Sequence, residues 1–300
     1  VQARDDADPS TRDDSSGRLA TQGGSLCPVC DVPMVARMDL GDFRLLHCPD
    51  CGCWASDAWA RGAVTSFEPQ SYFDNPELDQ DKWDTLRRRL DGERSAIHSV
   101  LDVGCGTGAF LAWVRRELPG ARREGIELDP ARASRAAETD PEARIHRADA
   151  LAALDRAQGP FDLVTLWDVF EHVPAPTRLL CRLAETLSPG GRIYIQTINE
   201  ESWVPRLGRL CYRASFGRLR YPARRTHEAH HLVFFTRRGL EHAARSAGLR
   251  ISELWFDRLH HGRMDGAPLL TRATSLALRA ENALGSGLFI NLLLERSDAP

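Results

Sequence analysis

Ser99-Val100-Leu101-Asp102-Val103-Gly104-Cys105-Gly106-Thr107-Gly108 is the stretch from which the fold is read. A short apolar, β-branched run ends in an acid, and Gly104, Gly106 and Gly108 then alternate with single residues. Ala109-Phe110-Leu111-Ala112-Trp113-Val114 follows at helical spacing, so the stretch reads as strand, tight turn and helix. Glycines in such a turn accept positive φ and let a ligand lie against bare backbone. The helix N-terminus behind them offers N–H groups to an anion or carboxylate.

Downstream, the strand-and-acid pattern recurs. Residues 123–128 read as a second strand, and Glu127 stands about 20 residues beyond the loop, where a carboxylate accepts both hydroxyls of a ribose. Asp129 reads as the cap of the next helix, with Pro130 at its first position. A third short strand near Ile145 ends at Ala148-Asp149-Ala150, where Asp149 also suits a helix cap. Residues 161–167 form a nearly continuous apolar run, as expected of a parallel strand buried on both faces, and lead into Asp168-Val169-Phe170-Glu171-His172. A helix over 177–187, a turn over 188–192 and a fifth strand over 193–198 follow. Beyond them come a helix over 237–248, a strand over 251–256, an apolar helix over 269–284 and a last strand over 288–295.

Composition narrows the classes. The chain has 300 residues, 42% of them hydrophobic, enough for a buried core. Net charge is -3, so nothing global advertises nucleic acid, and Lys82 is the single lysine. Residues 1–24 are acidic, Ser/Gly-rich and poor in apolar side chains, and read as a disordered tail without a signal-peptide core. No run approaches the roughly 20 apolar residues of a membrane span, and the chain reads as cytoplasmic.

Eight cysteines in such a chain point to metal or isolated thiols rather than a disulfide frame. Cys27-x-x-Cys30 and Cys48-x-x-Cys51, seventeen residues apart, form two knuckles that complete a tetrahedron. Residues 34–47 between them read as a hairpin tipped by Gly41-Asp42. The pattern is that of a structural zinc ribbon over residues 25–62, with Cys27, Cys30, Cys48 and Cys51 as ligands and His47 and Cys53 as spare donors.

The order of these elements resembles the class I S-adenosylmethionine-dependent methyltransferases that carry an N-terminal zinc ribbon, of the bacterial glycan and natural-product type. The likeness covers residues 27–248 and includes Leu187-x-Pro189-Gly190-Gly191 before the fifth strand. It implies an α/β fold: a Rossmann-like, doubly wound, mostly parallel seven-stranded sheet with a small N-terminal zinc ribbon. Residues 63–98 would be a helical linker covering the cofactor, and 99–300 the core. The resemblance implies that the glycine loop holds the methionine part of S-adenosylmethionine, that Asp102 orients the loop and that Asp149 meets the adenine amino group. It carries cofactor contacts to Cys105, Leu128, Ala150, Trp167 and Asp168 as well, and a covering role to Tyr72 or Phe73, which suit core packing equally.

Residues 200–235 interrupt the rhythm with arginines, aromatics and histidines, and read as a lid over the acceptor pocket. Those arginines suit a phosphate or carboxylate on the substrate, an anionic lipid surface, or plain solvent. His172 follows the fourth strand and is the candidate general base, or a helix-start residue that shapes the pocket; His230 and His231 are further candidates. The reaction expected is O-methylation of a small or glycosylated metabolite. Methylation of ribosomal RNA, sugar C-methylation and a partner-binding ribbon protein are the other readings weighed.

Overall fold

The computed structural model describes residues 25–58, 79–92, 94–257, 276, 279–281 and 283–297. The N-terminal tail, Tyr72 and Phe73, and most of the expected helix over 269–284 lie outside them.

The chain opens with β1 (Val35–Asp39), β2 (Arg44–His47), β3 (Trp54–Ser56) and α1 (Gln80–Arg89). The alternating part follows: β4 (Ser99–Val103), α2 (Ala109–Glu117), β5 (Arg122–Glu127), α3 (Pro130–Thr139), β6 (Arg144–Arg147), α4 (Ala150–Leu154) and β7 (Phe161–Trp167). After a 3-10 turn (Phe170–His172) come α5 (Pro176–Glu185), β8 (Leu187–Ile198), α6 (Trp203–Ala214), α7 (Tyr221–Thr226), β9 (Val233–Phe234), α8 (Arg237–Ser246), β10 (Leu249–Asp257) and β11 (Phe289–Arg296).

Seven strands form one sheet in the order β10-β11-β8-β7-β4-β5-β6. β4 pairs in parallel with both β5 and β7, and β11 runs antiparallel to its neighbours β8 and β10. The expected doubly wound, mostly parallel sheet is therefore present. β5 and β6 extend to one side of β4, β7 and β8 to the other, so the strand order reverses at the carboxyl end of β4, where open α/β sheets open a crevice. All five residues of β4 are buried, and Phe161, Val164 and Leu166 of β7 are fully so. Each apolar side chain among them, such as Val100, Leu101 and Phe161, contributes roughly 1.5–3 kcal/mol by leaving water.

The expected turn over 188–192 lies inside β8 rather than before it. Pairing with β7 jumps from Phe161–Leu187 to Leu163–Arg192, and a Cβ on Gly191 would sit 2.7 Å from the Phe161 carbonyl. The glycine lets the extra residues bulge without opening the sheet.

β1 and β2 form the expected hairpin and β3 joins them, but the fourth strand of this small sheet is β9, from the insertion. Trp54 lies opposite Phe234 and Ala55 opposite Val233. Cys27, Cys48, Cys51 and Cys53 share a buried cluster with Leu101, Phe170 and Phe235. The cysteine ribbon is thus packed into the core of the large sheet.

Candidate functional site

The loop after β4 is built by glycine. Gly104, Gly106 and Gly108 have φ of 73°, 54° and 81°. A Cβ on Gly104 would come within 2.4 Å of Val169 Cγ2, and one on Gly108 within 2.9 Å of the Ala136 backbone. The first contact seats the loop against the end of β7; the second lets α2 approach α3. Gly104 and Cys105 both donate their amides to the Ile126 carbonyl, at 2.7 and 2.9 Å, which ties the loop to β5. Cys105 packs its thiol beneath the loop with Leu111 and Ala136, over Gly125.

Glu127 ends β5 and is buried. Its Oε2 accepts the Gly106 amide at 2.9 Å, and its Oε1 accepts the Asp129 amide at 2.9 Å. One carboxylate therefore holds the glycine loop and the start of α3 in register. Asp129 caps α3 by accepting the Arg132 amide, with Pro130 in the first turn, as its spacing predicts. Asp149 accepts the Leu151 amide at 3.0 Å and so caps α4, whose first residue is Ala150. Leu128 is exposed beside Glu127.

Asp102 points into the core side of the loop and is 2% exposed. It accepts the Thr165 hydroxyl at 2.7 Å across the β4–β7 pair. Burial pushes its carboxyl up to about 7; the Thr165 hydrogen bond works against this and the Glu127 charge adds to it.

A cleft opens over the loop, lined by Asp102, Gly104, Gly106, Trp167 and Asp168 from the core and by Asp79, Lys82 and Trp83 from the start of α1. Asp168 has φ 53°, a left-handed conformation that turns its carboxylate to Lys82 Nζ at 3.1 Å. Trp167 packs between Phe110 and Tyr194, and its buried Nε1 has no hydrogen-bond partner among the described residues. Positive φ, bare backbone and an indole N–H without a partner among the described residues line this cleft with the Asp102 carboxylate, and Glu127 braces the loop at Gly106; such a donor set fits a nucleoside with an amino-acid tail. The sequence reading missed Lys82, although a single lysine among 39 basic residues was a signal.

Beyond Asp168, the 3-10 turn presents Glu171 and His172, and the segment before β9 presents His230 and His231. Ring centroids lie 5.5 Å apart for His172–His230, 4.8 Å for His172–His231 and 4.4 Å for His230–His231. Main-chain bonding joins the two segments, since the Leu232 amide donates to the Glu171 carbonyl at 2.9 Å. His172 Nδ1 lies 3.2 Å from the His230 carbonyl, which only accepts, so that nitrogen carries the proton and Nε2 is the basic one. The three histidines singled out in the sequence thus converge, and the fully buried Glu171, bonded to Thr197 Oγ1 at 2.8 Å, was not foreseen among them.

The ligand sulfurs of Cys27, Cys30, Cys48 and Cys51 lie within 4.8 Å of one another, with Cys27–Cys51 and Cys30–Cys48 each 3.5 Å apart. Sulfurs on one zinc stand about 3.8 Å apart, so the cluster fits a zinc ribbon. Cys53 is buried beside Thr236 and Gly239, outside that group.

Among curated proteins, the ubiquinone biosynthesis O-methyltransferase of Shewanella pealeana is 36% identical over 103 residues, covering 33% of this chain and 43% of that protein. That of Xanthomonas oryzae pv. oryzae is 35% identical over 111 residues, with the same 33% and 43% coverage. The matched stretch spans less than half the length of these relatives. A SAM dependent methyltransferase from Archaeoglobus fulgidus shares the fold at TM-score 0.51 and 15% identity, over 76% of this chain and 100% of that one. The family model for a methyltransferase domain matches residues 77–254, from the start of α1 through most of β10. The chain belongs to this methyltransferase domain family.

Proposed function

We propose that the chain is an S-adenosylmethionine-dependent O-methyltransferase acting on a hydroxyl of a small or glycosylated metabolite. The observation that carries this reading is the glycine loop clamped by Glu127 at the point where the strand order reverses, inside the matched family region. When bound, S-adenosylmethionine supplies a methyl group on a sulfonium.

The bare backbone of Gly104, Gly106 and Gly108 receives the methionine part, and Lys82 faces its carboxylate. Glu127 accepts the ribose hydroxyls with lone pairs that remain after Gly106 and Asp129 are bonded. Asp149, beside Ala150 at the end of β6, faces the adenine. Trp167 and Asp168 close the cleft from β7. On the acceptor side, His172 takes the hydroxyl proton through Nε2, with His230 and His231 packed around it. Holding the acceptor oxygen in line with the group to be transferred lowers the barrier through orientation alone. The Cys27, Cys30, Cys48 and Cys51 thiolates hold a structural zinc; four protein ligands leave no open position for chemistry.

The test has two arms. Calorimetry with S-adenosylhomocysteine should show one site per chain, weakened at least tenfold by Glu127→Ala. Mass spectrometry against hydroxylated and glycosylated metabolites should find a gain of one methyl. A chain that binds a nicotinamide or flavin in place of S-adenosylhomocysteine overturns the reading.

A further inference from the structure

Residues 202–227 contain seven arginines and no aspartate or glutamate, in a chain of net charge -3. The segment leaves the end of β8, at the sheet edge that carries the glycine loop, and folds as α6 and α7. α6 buries Pro205 and Gly208, and a Cβ on Gly208 would meet the Pro222 carbonyl at 3.0 Å. That seam turns the opposite face outward. Trp203, Leu207 and Leu210, at helical spacing, are 41%, 59% and 61% exposed.

The connection to α7 continues the same pattern. Phe216 is 91% exposed and sits at φ 53°, a conformation that costs a non-glycine residue energy and that no apolar packing among the described residues repays. Leu219 and Tyr221 are exposed as well, and Arg206, Arg213, Arg218 and Arg220 stand exposed among them. An apolar stripe of leucine and aromatics interleaved with arginine is the make-up of a helix that lies in the headgroup layer of a bilayer. No helix among the described residues is long and apolar enough to cross one.

We infer that α6 and the α6–α7 connection dock this protein on an anionic phospholipid surface. Leu207, Leu210 and Phe216 enter the acyl boundary, and the surrounding arginines meet lipid phosphates. Charge complementarity selects the occupant: a second copy of the chain would set this basic face against its own arginines. The docking stands apart from the methyl-transfer reading. One consequence does rest on that reading: an acceptor delivered at this edge is amphiphilic and held in the membrane leaflet.

The experiment is co-sedimentation of the full chain with vesicles of phosphatidylcholine alone and of phosphatidylcholine mixed with phosphatidylglycerol. Binding to the mixed vesicles is expected, weakening as salt is raised, with little binding to the neutral ones. A triple variant, Leu207→Ser with Leu210→Ser and Phe216→Ser, should bind at least about tenfold more weakly. Its melting temperature and S-adenosylhomocysteine affinity should match the parent, which shows that the fold is intact. Wild-type protein left in the supernatant, equal binding to neutral vesicles, or undiminished binding by the triple variant overturns the inference. So does a dimer in light scattering that the triple variant converts to monomer without any vesicle binding. Wild-type protein that transfers methyl groups but does not bind the mixed vesicles rejects the docking and leaves the methyl-transfer reading standing.

Discussion

Lys82 Nζ lies 3.1 Å from the Asp168 carboxylate, bridging the start of α1 to the end of β7 across the mouth of the cleft. Asp79 stands 3.4 Å from the same ammonium, and the Phe289 ring lies 5.0 Å from it. A cation held this way is poised between two acids and within reach of an anionic ligand. Lys82→Met is expected to weaken S-adenosylhomocysteine binding by about tenfold, or roughly 1.4 kcal/mol, in calorimetry. Lys82→Arg should restore part of the loss, because the charge returns on a different shape.

Gly108 tests the loop itself. With φ 81° and a virtual Cβ 2.9 Å from the Ala136 backbone, Gly108→Ala must both strain its own backbone and push α3 away. The expected destabilisation is about 2–4 kcal/mol in urea unfolding. Gly120→Ala, where nothing lies within 4 Å and φ is not positive, should shift the midpoint far less.

Asp102 links pH to stability and to binding. Its folded pKa, raised by burial to about 7, exceeds the usual carboxylate value of 3.8, so the folded state prefers the neutral acid. Its stabilising contribution is complete below the unfolded value and is lost as pH rises through about 4 to about 7. Asp102→Asn should flatten that stretch of the stability profile and raise the melting temperature at pH 8. A cationic ligand placed in the cleft lowers this pKa, so binding near pH 7 should release protons. Calorimetry in buffers of different ionisation enthalpy reads that release directly.

The cysteine ribbon reaches the segment that carries His230 and His231 through two hydrogen bonds to main-chain carbonyls. Thr236 Oγ1 donates to the Cys51 carbonyl at 2.7 Å, and the Ser56 amide donates to the Leu232 carbonyl at 3.0 Å, just beyond His231. On the proposal that the four thiolates hold zinc, a chelator, or Cys30→Ser, should release one zinc per chain. Hydrogen exchange should then quicken over residues 228–236, while β4 and β5 stay protected. Uniform quickening across both sheets would mean that the ribbon supports the whole fold instead.

His172→Ala separates proton removal from binding. Turnover should fall about 10²–10⁴-fold with S-adenosylhomocysteine affinity unchanged. An unaltered rate would assign the ring to pocket shape.

Much of the fold was legible because its signals are local. A glycine turn, a cap such as Asp129-Pro130 and a pair of cysteine knuckles each act over a few residues, and each lies where its spacing predicts. The bulge in β8 was not legible, since Ser188-Pro189-Gly190-Gly191 is turn-like by composition and only pairing with β7 absorbs it into a strand. Asp149 illustrates a shared signal: the same residue type that would meet an adenine also caps α4, and its spacing is the same in both roles.

By itself the chain's order of residues determined the doubly wound sheet, the glycine loop and the four-thiol knuckles, because apolar period, positive φ and tetrahedral ligation are local demands. Only tertiary packing decided that β9 completes the ribbon sheet, that Lys82 faces Asp168, and that His172 meets His231. It also decided which side of α6 stays outside, because Gly208 lets α7 close against the other. Those contacts join residues about 60 to 180 positions apart, or depend on which helix face a neighbour covers, and no short-range preference encodes either.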